Sequence, residues 1–184
     1  MIETDAIIAA TQRWIESVVI GLNLCPFAKA VFVKNQIRIV VSRAQNSDVL
    51  LEELEQELTL LAGADPKLVD TTLLVHPEVL VDFLDYNDFL DQCDTVVEEL
   101  GLDGILQVAS FHPQYQFAET ETDDVTNFTN RSPYPTLHLL REESVTRAVE
   151  TFPDVESIYE KNISTLRELG IHAVRKLMDS VMHK

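Results

Sequence analysis

The chain has 184 residues, of which 31 are acidic and 14 basic, and its formal net charge is −17. This length predicts a single globular domain, 1–184, which can bury enough surface to fold without disulfides or a structural metal. So negative a charge argues against nucleic acid and anionic membranes as partners, because both bind basic surfaces. We expect the diffuse acidic surface to serve solubility, and the sequence does not decide the oligomeric state.

The compartment is predicted from features that the sequence lacks. The first residues, MIETDAIIAATQ, have neither the basic start nor the long apolar core of a secretory signal. No apolar run approaches the ~20 residues of a membrane span. The two cysteines, Cys25 and Cys93, form neither a disulfide framework nor a Cys-x-x-Cys site. A reduced, cytoplasmic protein is therefore expected.

Hydrophobic periodicity divides the chain into helices and strands. In chain order, the patterns predict a helix over 5–22, a hairpin of 30–33 with 36–42, a helix over 46–63, a strand over 70–76, and a helix over 79–100 that a break near 86–87 could divide. Strands over 104–111 and 135–140 follow, then a short helix over 143–150 and a longer helical stretch over 153–181, which Gly170 could break. Asn46 or Ser47 can cap the helix that follows them.

The order of these elements predicts the fold class, α/β (α+β mixed). Strands separated by a helix favour parallel pairing, because a crossover connection joins parallel neighbours. We expect a mainly parallel sheet of four or five strands, packed against helices. Its antiparallel edge would be the strand at 135–140.

Parallel strands would bring several polar residues to one edge of the sheet. Open α/β sheets bind ligands outside the carboxyl ends of their strands. The residues expected there are Ser42, Arg43, His76 and His112, with Arg131 and Tyr134 brought back by an antiparallel return, and Cys25-Pro26-Phe27 if the hairpin forms. The sequence thus predicts one composite site at that edge.

A long stretch without helical or strand period lies between Phe111 and Glu142. A loop of this length inside a compact domain is usually functional or disordered, and its aromatic content argues for order. Its notable side chains are Tyr115, Phe117, Phe128, Tyr134, His112, Asp123, Asp124, Asn127, Asn130 and Arg131. We interpret the stretch as an ordered loop that lines a pocket.

Two predicted strands end in the same dipeptide, His76-Pro77 and His112-Pro113. Proline holds the preceding residue extended, so each histidine would point in a fixed direction. The alternative is that proline only stops the strand and the histidine is incidental. His138 lies inside an apolar strand, which is typical of a hydrogen-bonded core histidine.

Arg131 and Cys25 each have a chemical and a structural interpretation. Arg131, in NRSPYP, can bind a carboxylate or phosphate through two parallel hydrogen bonds. It can equally pair with loop acids such as Asp123 or Asp124. Cys25 follows a helix whose dipole opposes thiolate formation, and Ala28 occupies the place of a second redox cysteine. We expect Cys25 to be a packed, slowly reacting thiol.

Aspartates recur along one face of the helix predicted over 79–100. They are Asp82, Asp85, Asp88, Asp91 and Asp94. The spacing does not match a calcium loop, which needs a glycine turn and a distal glutamate. A solvated helix face is the interpretation we adopt.

Four runs of the sequence resemble an uncharacterised bacterial family known as domain of unknown function 1415. They are GLNLCPFAK, FHPQYQFA, NRSPYPTLHLLRE and FPDVESIYEKNISTLRELG. The resemblance covers nearly the whole chain and implies a single compact domain of this length. It implies no reaction, so it assigns no catalytic residue.

Three functions remain open on the residues alone. The first is an enzyme acting on a small anionic molecule, in which His112 is the general acid or base and Tyr115 orients the substrate beside it. Its expected ligand-binding residues are Arg131, Asn130, Asn127, Arg43, Tyr134 and His76. Alanine in place of Arg131 or His112 should then weaken binding and cost little stability. The second is a zinc or iron site built from histidine, Cys25 or a loop carboxylate. The third is a non-catalytic adaptor whose long loop grips a partner. The sequence does not identify a cofactor, and it does not decide whether a metal is bound.

Overall fold

Four strands form one sheet in the computed structural model, which describes residues 3–151 and 156–182. They are β1 (Ile37–Val41), β2 (Thr71–Val75), β3 (Leu106–Phe111) and β4 (Thr136–Arg141). Their order across the sheet is β1-β2-β4-β3. β1 and β2 are parallel, whereas β4 is antiparallel to both of its neighbours. β1, β2 and β3 therefore point the same way.

The prediction of a mixed sheet packed against helices is confirmed, but the sheet is not mainly parallel. Two of the three pairings are antiparallel, and β4 lies inside the sheet while β3 forms its edge. Burial explains the placement. The core-facing Leu137 and Leu139 of β4 are fully buried, whereas β3 carries Gln107 and Ser110 and is half-buried over most of its length. The more apolar strand takes the central position.

Seven α-helices lie within the described residues. They are α1 (Thr4–Trp14), α2 (Ala28–Val33), α3 (Ser47–Gly63), α4 (Phe83–Glu99), α5 (Glu142–Thr151), α6 (Glu156–Leu169) and α7 (Ile171–Met182). A π-helix, Ile15–Ile20, continues α1, and a 3₁₀ helix, Val125–Thr129, lies within the long loop. The proposed helix start at Pro153-Asp154 lies outside the described residues. None of the described helices is long and apolar enough to cross a membrane.

The predicted hairpin before β1 is wrong, because residues 28–33 form α2. Ala28, Lys29 and Ala30 are good helix formers, and this local preference prevails over the β-rich run VFV. Asn35 adopts a φ of 55°, in the left-handed region that commonly ends a helix. The chain therefore enters β1 from a helix and not from a paired strand.

Side-chain caps set the starts of α3 and α4. The Asn46 side chain accepts a hydrogen bond from the Val49 amide at 2.9 Å, so Asn46, and not Ser47, is the cap of α3. Asp82 accepts from the amides of Leu84 and Asp85. Because of this cap, α4 begins at Phe83 and not near residue 79, and it runs without a break through residues 86–87.

Helices cover both faces of the sheet, so the chain forms three layers. On one face, α3 and α4 pack against Leu74, Leu137 and Leu139. On the other face, α1, the π-helix, α6 and α7 contribute to a second cluster with Leu73 and Val75. Successive residues of β2 alternate between the two clusters, as the pleat of a strand requires. The carboxyl ends of β1, β2 and β3 remain at one edge of the middle layer.

Candidate functional site

The ends of the strands and both ends of the long loop meet at that edge. The Ser42 amide donates to Val75 at 2.8 Å, which continues the pairing of β1 with β2. The His76 amide donates to Pro135 at 2.9 Å, just before β4 begins. The His112 amide donates to Asn130 at 3.2 Å and ties the start of the loop to its end. The edge expected from parallel crossovers therefore exists, although β4 separates β2 from β3.

His112 is fully buried, and hydrogen bonds define its tautomer. Its Nδ1 accepts from the Gln114 amide at 3.0 Å, so the proton lies on Nε2. Nε2 donates to the Leu80 carbonyl at 3.2 Å. Burial is the main cause that lowers the pKa of His112, and the charge of Asp82 acts in the opposite direction. The imidazole is neutral at pH 7, with both ring nitrogens bonded.

His76 is fully buried too, but one of its ring nitrogens has no partner. Nδ1 donates to the Val79 carbonyl at 3.0 Å. Nε2 is therefore the unprotonated nitrogen, and it makes no hydrogen bond within the described chain. Burial lowers the pKa of His76 to about 4. A buried acceptor left without a donor costs stability, roughly 1–3 kcal/mol.

Tyr86 of α4 lies between the two histidines, which the sequence did not reveal. Its ring stacks on His76 at 5.6 Å between centroids, with 20° between the planes, and lies 5.1 Å from His112. Its hydroxyl donates to the Thr136 carbonyl at 2.8 Å and accepts from the Phe111 amide at 3.2 Å. Burial raises the pKa of Tyr86. The only signal was its spacing on the apolar face of α4.

Both histidines hold the same turn of backbone. They bind the consecutive carbonyls of Val79 and Leu80, and Leu80 has a φ of 53°, which a leucine rarely adopts. We call residues 79–82, which lead into α4, the histidine-held turn. Two buried imidazoles from two different strands thus fix one strained connection.

Arg131 is 8% exposed and fixes the long loop from inside. Its Nε donates to the Tyr115 carbonyl at 3.1 Å and its Nη2 to the Thr122 carbonyl at 2.6 Å. The guanidinium lies 4.7 Å above the centroid of the Phe128 ring. Burial lowers the pKa of Arg131 below its ordinary value, and the neighbouring charge of Arg175 lowers it further. No carboxylate of the described residues forms an ion pair with it.

The two loop asparagines bind backbone. Asn127 is fully buried; its Oδ1 accepts from the Phe117 amide at 3.0 Å and its Nδ2 donates to Glu121 at 2.9 Å. Asn130 Nδ2 donates to the Ser110 carbonyl at 3.2 Å. These bonds make the loop an ordered structure, as its composition indicated.

Arg43 and Tyr134 lie at the periphery of the edge. Arg43 pairs with Glu78 at 3.3 Å, and its side chain is 38% exposed. Tyr134 is half-buried; burial raises its pKa and the charge of Arg13 opposes the rise. His138 is the hydrogen-bonded histidine that its strand position predicted, with Nε2 2.7 Å from the Thr71 hydroxyl. Burial lowers the pKa of His138 to about 4.

Cys25 is a free, half-buried cysteine in the segment after the π-helix. The preceding carbonyl, that of Leu24, accepts a hydrogen bond from Asn162 of α6 at 2.9 Å. The hairpin that was expected to carry Cys25 to the strand edge is absent, so that argument for placing it in the site is lost. Among residues 3–151 and 156–182, no group of three or more histidine, cysteine, aspartate or glutamate side chains is arranged to hold a metal ion.

Comparison with known proteins identifies the family and no activity. The family described as "Protein of unknown function (DUF1415)" matches residues 6–176. The chain therefore belongs to this family, which confirms the resemblance carried by its sequence motifs. No curated protein and no solved structure matches the chain.

Proposed function

We propose that this chain binds a small anionic molecule at the carboxyl-terminal edge of the sheet, with Arg131 as the group that holds the negative charge. One observation carries the proposal. Arg131 is nearly buried, yet no carboxylate of the described residues pairs with it, although the chain has a net charge of −17. A buried cation without a counter-charge is costly, and a bound anion would supply that charge.

The hydrogen-bonding capacity of Arg131 supports this role. A guanidinium has five N–H donors in a planar fork. Two of them donate to the carbonyls of Tyr115 and Thr122, and Nη1 makes no hydrogen bond to the described residues. The loop carbonyls therefore orient the group and leave donors for a carboxylate or phosphate oxygen. Arg175, exposed on α7, adds a second positive charge near enough to lower the pKa of Arg131.

The finer proposal is that the chain is a cytoplasmic enzyme acting on that anion, with His112 as general acid or base beside Tyr115. The pKa of His112 is lowered, so the ring is in its basic form at pH 7. Both ring nitrogens are bonded, to Gln114 and Leu80. Proton transfer therefore requires that one of these bonds opens when substrate binds, and hydrogen bonds at catalytic groups do rearrange between free and bound enzymes.

The test is a thermal-shift titration at constant ionic strength. Inorganic phosphate, pyrophosphate, citrate and adenine nucleotides would be added to the wild type, Arg131→Lys and Arg175→Gln, with exposed Arg147→Gln as the matched control. Binding stabilises by RT ln(1 + [L]/Kd), so each protein is compared with its own ligand-free melting temperature. We expect at least one anion to raise the wild-type value, with a reduced rise for both site variants. An equal rise in every variant would contradict the role of Arg131.

The enzymatic step is tested separately with His112→Gln and the ligand found in that titration. Retained binding with loss of turnover supports His112 as the acid or base. Turnover equal to the wild type assigns proton transfer to another group. Binding of the anion does not depend on either result.

A further inference from the structure

A row of aromatic rings crosses the outer surface of the long loop. It joins Phe83 at the start of α4, Tyr115 and Phe117 in the loop, and Tyr159 in α6. Successive ring centroids are 5.2, 5.0 and 6.4 Å apart, and the rings are tilted or edge-on to one another. We call these four residues the aromatic strip. It connects three elements that are far apart in the sequence.

One ring of the strip and two aliphatic residues close to it in the sequence are open to solvent. Tyr159 is 55% exposed, and the neighbours of Phe83, Val81 and Leu84, are 59% and 70% exposed. Phe83, Tyr115 and Phe117 are half-buried. Single exposed apolar residues are ordinary, whereas a row of touching aromatic rings with exposed aliphatic residues close by in the sequence is typical of an interaction surface.

Several acidic residues lie close in the sequence to the rings of the strip. The exposed ones next to or within four residues of its rings are Asp82, Asp85, Glu119, Glu121 and Glu160. Aromatic faces attract cations, and neighbouring carboxylates strengthen that attraction. Among the described side chains, five exposed acids against one exposed base, Lys161, lie within four residues of the rings, and this balance favours a cationic partner.

Buried side chains hold the strip in place. Arg131 binds the Tyr115 carbonyl, and Asn127 binds the Phe117 amide. The two loop rings are thus positioned before any partner arrives, which lowers the entropy cost of binding. A partner would contact the rings of the strip, whereas an anion would contact the remaining donors of Arg131, so the two proposed sites share no binding atoms.

We propose that the aromatic strip docks a basic segment of a partner protein that carries several arginine or lysine residues. The rings lie in a row across three elements, so they suit a run of cations spaced along a chain better than one compact cation. A second copy of this chain is disfavoured, since each copy carries −17. The same charge accelerates association with a basic partner.

The probe is a fluorescein-labelled peptide of alternating arginine and serine, with a glutamate–serine peptide as its charge-reversed control. Binding is followed by fluorescence anisotropy at low and moderate salt. The variants are Tyr159→Ala, which removes the most exposed ring, and the double variant Asp85→Asn/Glu119→Gln. The matched control is Asp91→Asn/Asp94→Asn, which removes two exposed charges further along α4. Melting temperatures establish that each variant is folded.

We expect the arginine peptide to bind the wild type, with affinity lowered at least about fivefold in Tyr159→Ala and in Asp85→Asn/Glu119→Gln. The Asp91/Asp94 variant should bind within about twofold of the wild type, because those charges are further from the rings. If both double variants weaken binding equally, or if Tyr159→Ala has no effect, net charge alone explains the binding and the proposal is overturned. Competition by spermine as strong as by the unlabelled peptide would identify a small polycation as the occupant and overturn the protein segment. If the wild type does not bind the arginine–serine peptide, the proposal is overturned as well.

Discussion

Two backbone segments are fixed by buried side chains: the histidine-held turn, and the long loop that Arg131 binds, which we call the arginine-held loop. The side chains that fix them differ in charge. In each, a buried nitrogen-bearing side chain donates to backbone carbonyls that would otherwise be unpaired. His76 and His112 hold Val79 and Leu80 as neutral rings, whereas Arg131 holds Tyr115 and Thr122 with a permanent charge. The turn should therefore respond to pH, and the loop should not. Conversely, we expect anions to stabilise the arginine-held loop and to leave the histidine-held turn unchanged, because its imidazoles are neutral.

The largest expected effect is from Arg131→Ala. The change removes two charge-assisted hydrogen bonds and the contact with Phe128, and leaves two loop carbonyls without their donor. We expect a loss of about 3–4 kcal/mol in the free energy of unfolding, measured by urea denaturation. The sequence alone led us to expect only a small loss of stability, because it treated Arg131 as a surface residue. Arg131 is in fact buried, so the expected loss is larger.

Arg147→Ala is the matched control for that variant. Arg147 is exposed and pairs with Glu143 four residues away, so its loss should cost under about 0.5 kcal/mol. Proteolysis of residues 113–124 should become faster in Arg131→Ala alone. Equal stability of the two variants would mean that the loop is held by other bonds, such as those of Asn127.

The second prediction concerns acid. His76 has a pKa of about 4 in the folded chain against about 6.5 when unfolded. A lowered pKa means that the unfolded chain binds the proton first, so stability is full above pH 6.5 and falls as the pH drops towards 4. The loss from His76 alone would approach roughly 3 kcal/mol at pH 4. Urea unfolding at pH 7.5, 6, 5 and 4.5 measures this loss together with that from His138, whose pKa is also about 4, so the same series on His138→Gln isolates the contribution of the turn.

Arg131→Lys sharpens the comparison in the same experiment. If the loop that Arg131 holds does not titrate, this variant should lose stability with the same slope between pH 6.5 and 5 as the wild type. ¹⁵N NMR of the imidazoles provides an independent check, since His76 should be protonated on Nδ1 and His112 on Nε2 at pH 7. A charged His76 at pH 6 would contradict the account.

How far the sequence predicted this arrangement depends on the range of the interactions involved. α3 and its Asn46 cap, β2, and the His-Pro ends of β2 and β3 follow from local patterns, so they were predictable. The position of β4 between β2 and β3 is set by which strand buries more apolar surface, and no local pattern encodes it. The hairpin failed because the β-branched run VFV follows the helix formers of α2.

In the candidate site, too, local patterns predicted the positions of residues but not their long-range partners. Sequence spacing placed His76, His112 and the ends of the loop at one edge, but it could not assign their partners. The sequence allowed Arg131 to bind either a ligand or the carboxylates of Asp123 and Asp124. In the structure its side chain binds backbone carbonyls instead. Tyr86 was treated as a point where the helix could break, although its ring completes the stack between the histidines. The His112–Leu80 bond spans 32 residues and the two Arg131 bonds span 16 and 9, and no local pattern encodes such pairings.

Tyr86→Phe separates the ring stack from the hydroxyl that anchors it. The phenylalanine ring keeps the contacts with both histidines, while the Thr136 carbonyl and the Phe111 amide lose their partner. We expect a loss of about 1–2 kcal/mol with the pH dependence of the turn retained. Loss of that pH dependence together with stability would show that the hydroxyl, and not the ring, keeps His76 and His112 buried.

The smallest expected effect isolates the charge at the end of the histidine-held turn. Asp82 caps α4, and its charge raises the pKa of His112 against the lowering caused by burial. Asn in place of Asp82 keeps an acceptor for the cap and removes the charge, and the two residues cap helices about equally well. Asp82→Asn should therefore change stability by less than about 0.5 kcal/mol, whereas Asp82→Ala should cost about 1 kcal/mol. NMR titration should find the pKa of His112 lower in both variants, because each loses the carboxylate. A pKa of His112 that stays unchanged would mean that hydrogen bonds and burial alone determine it.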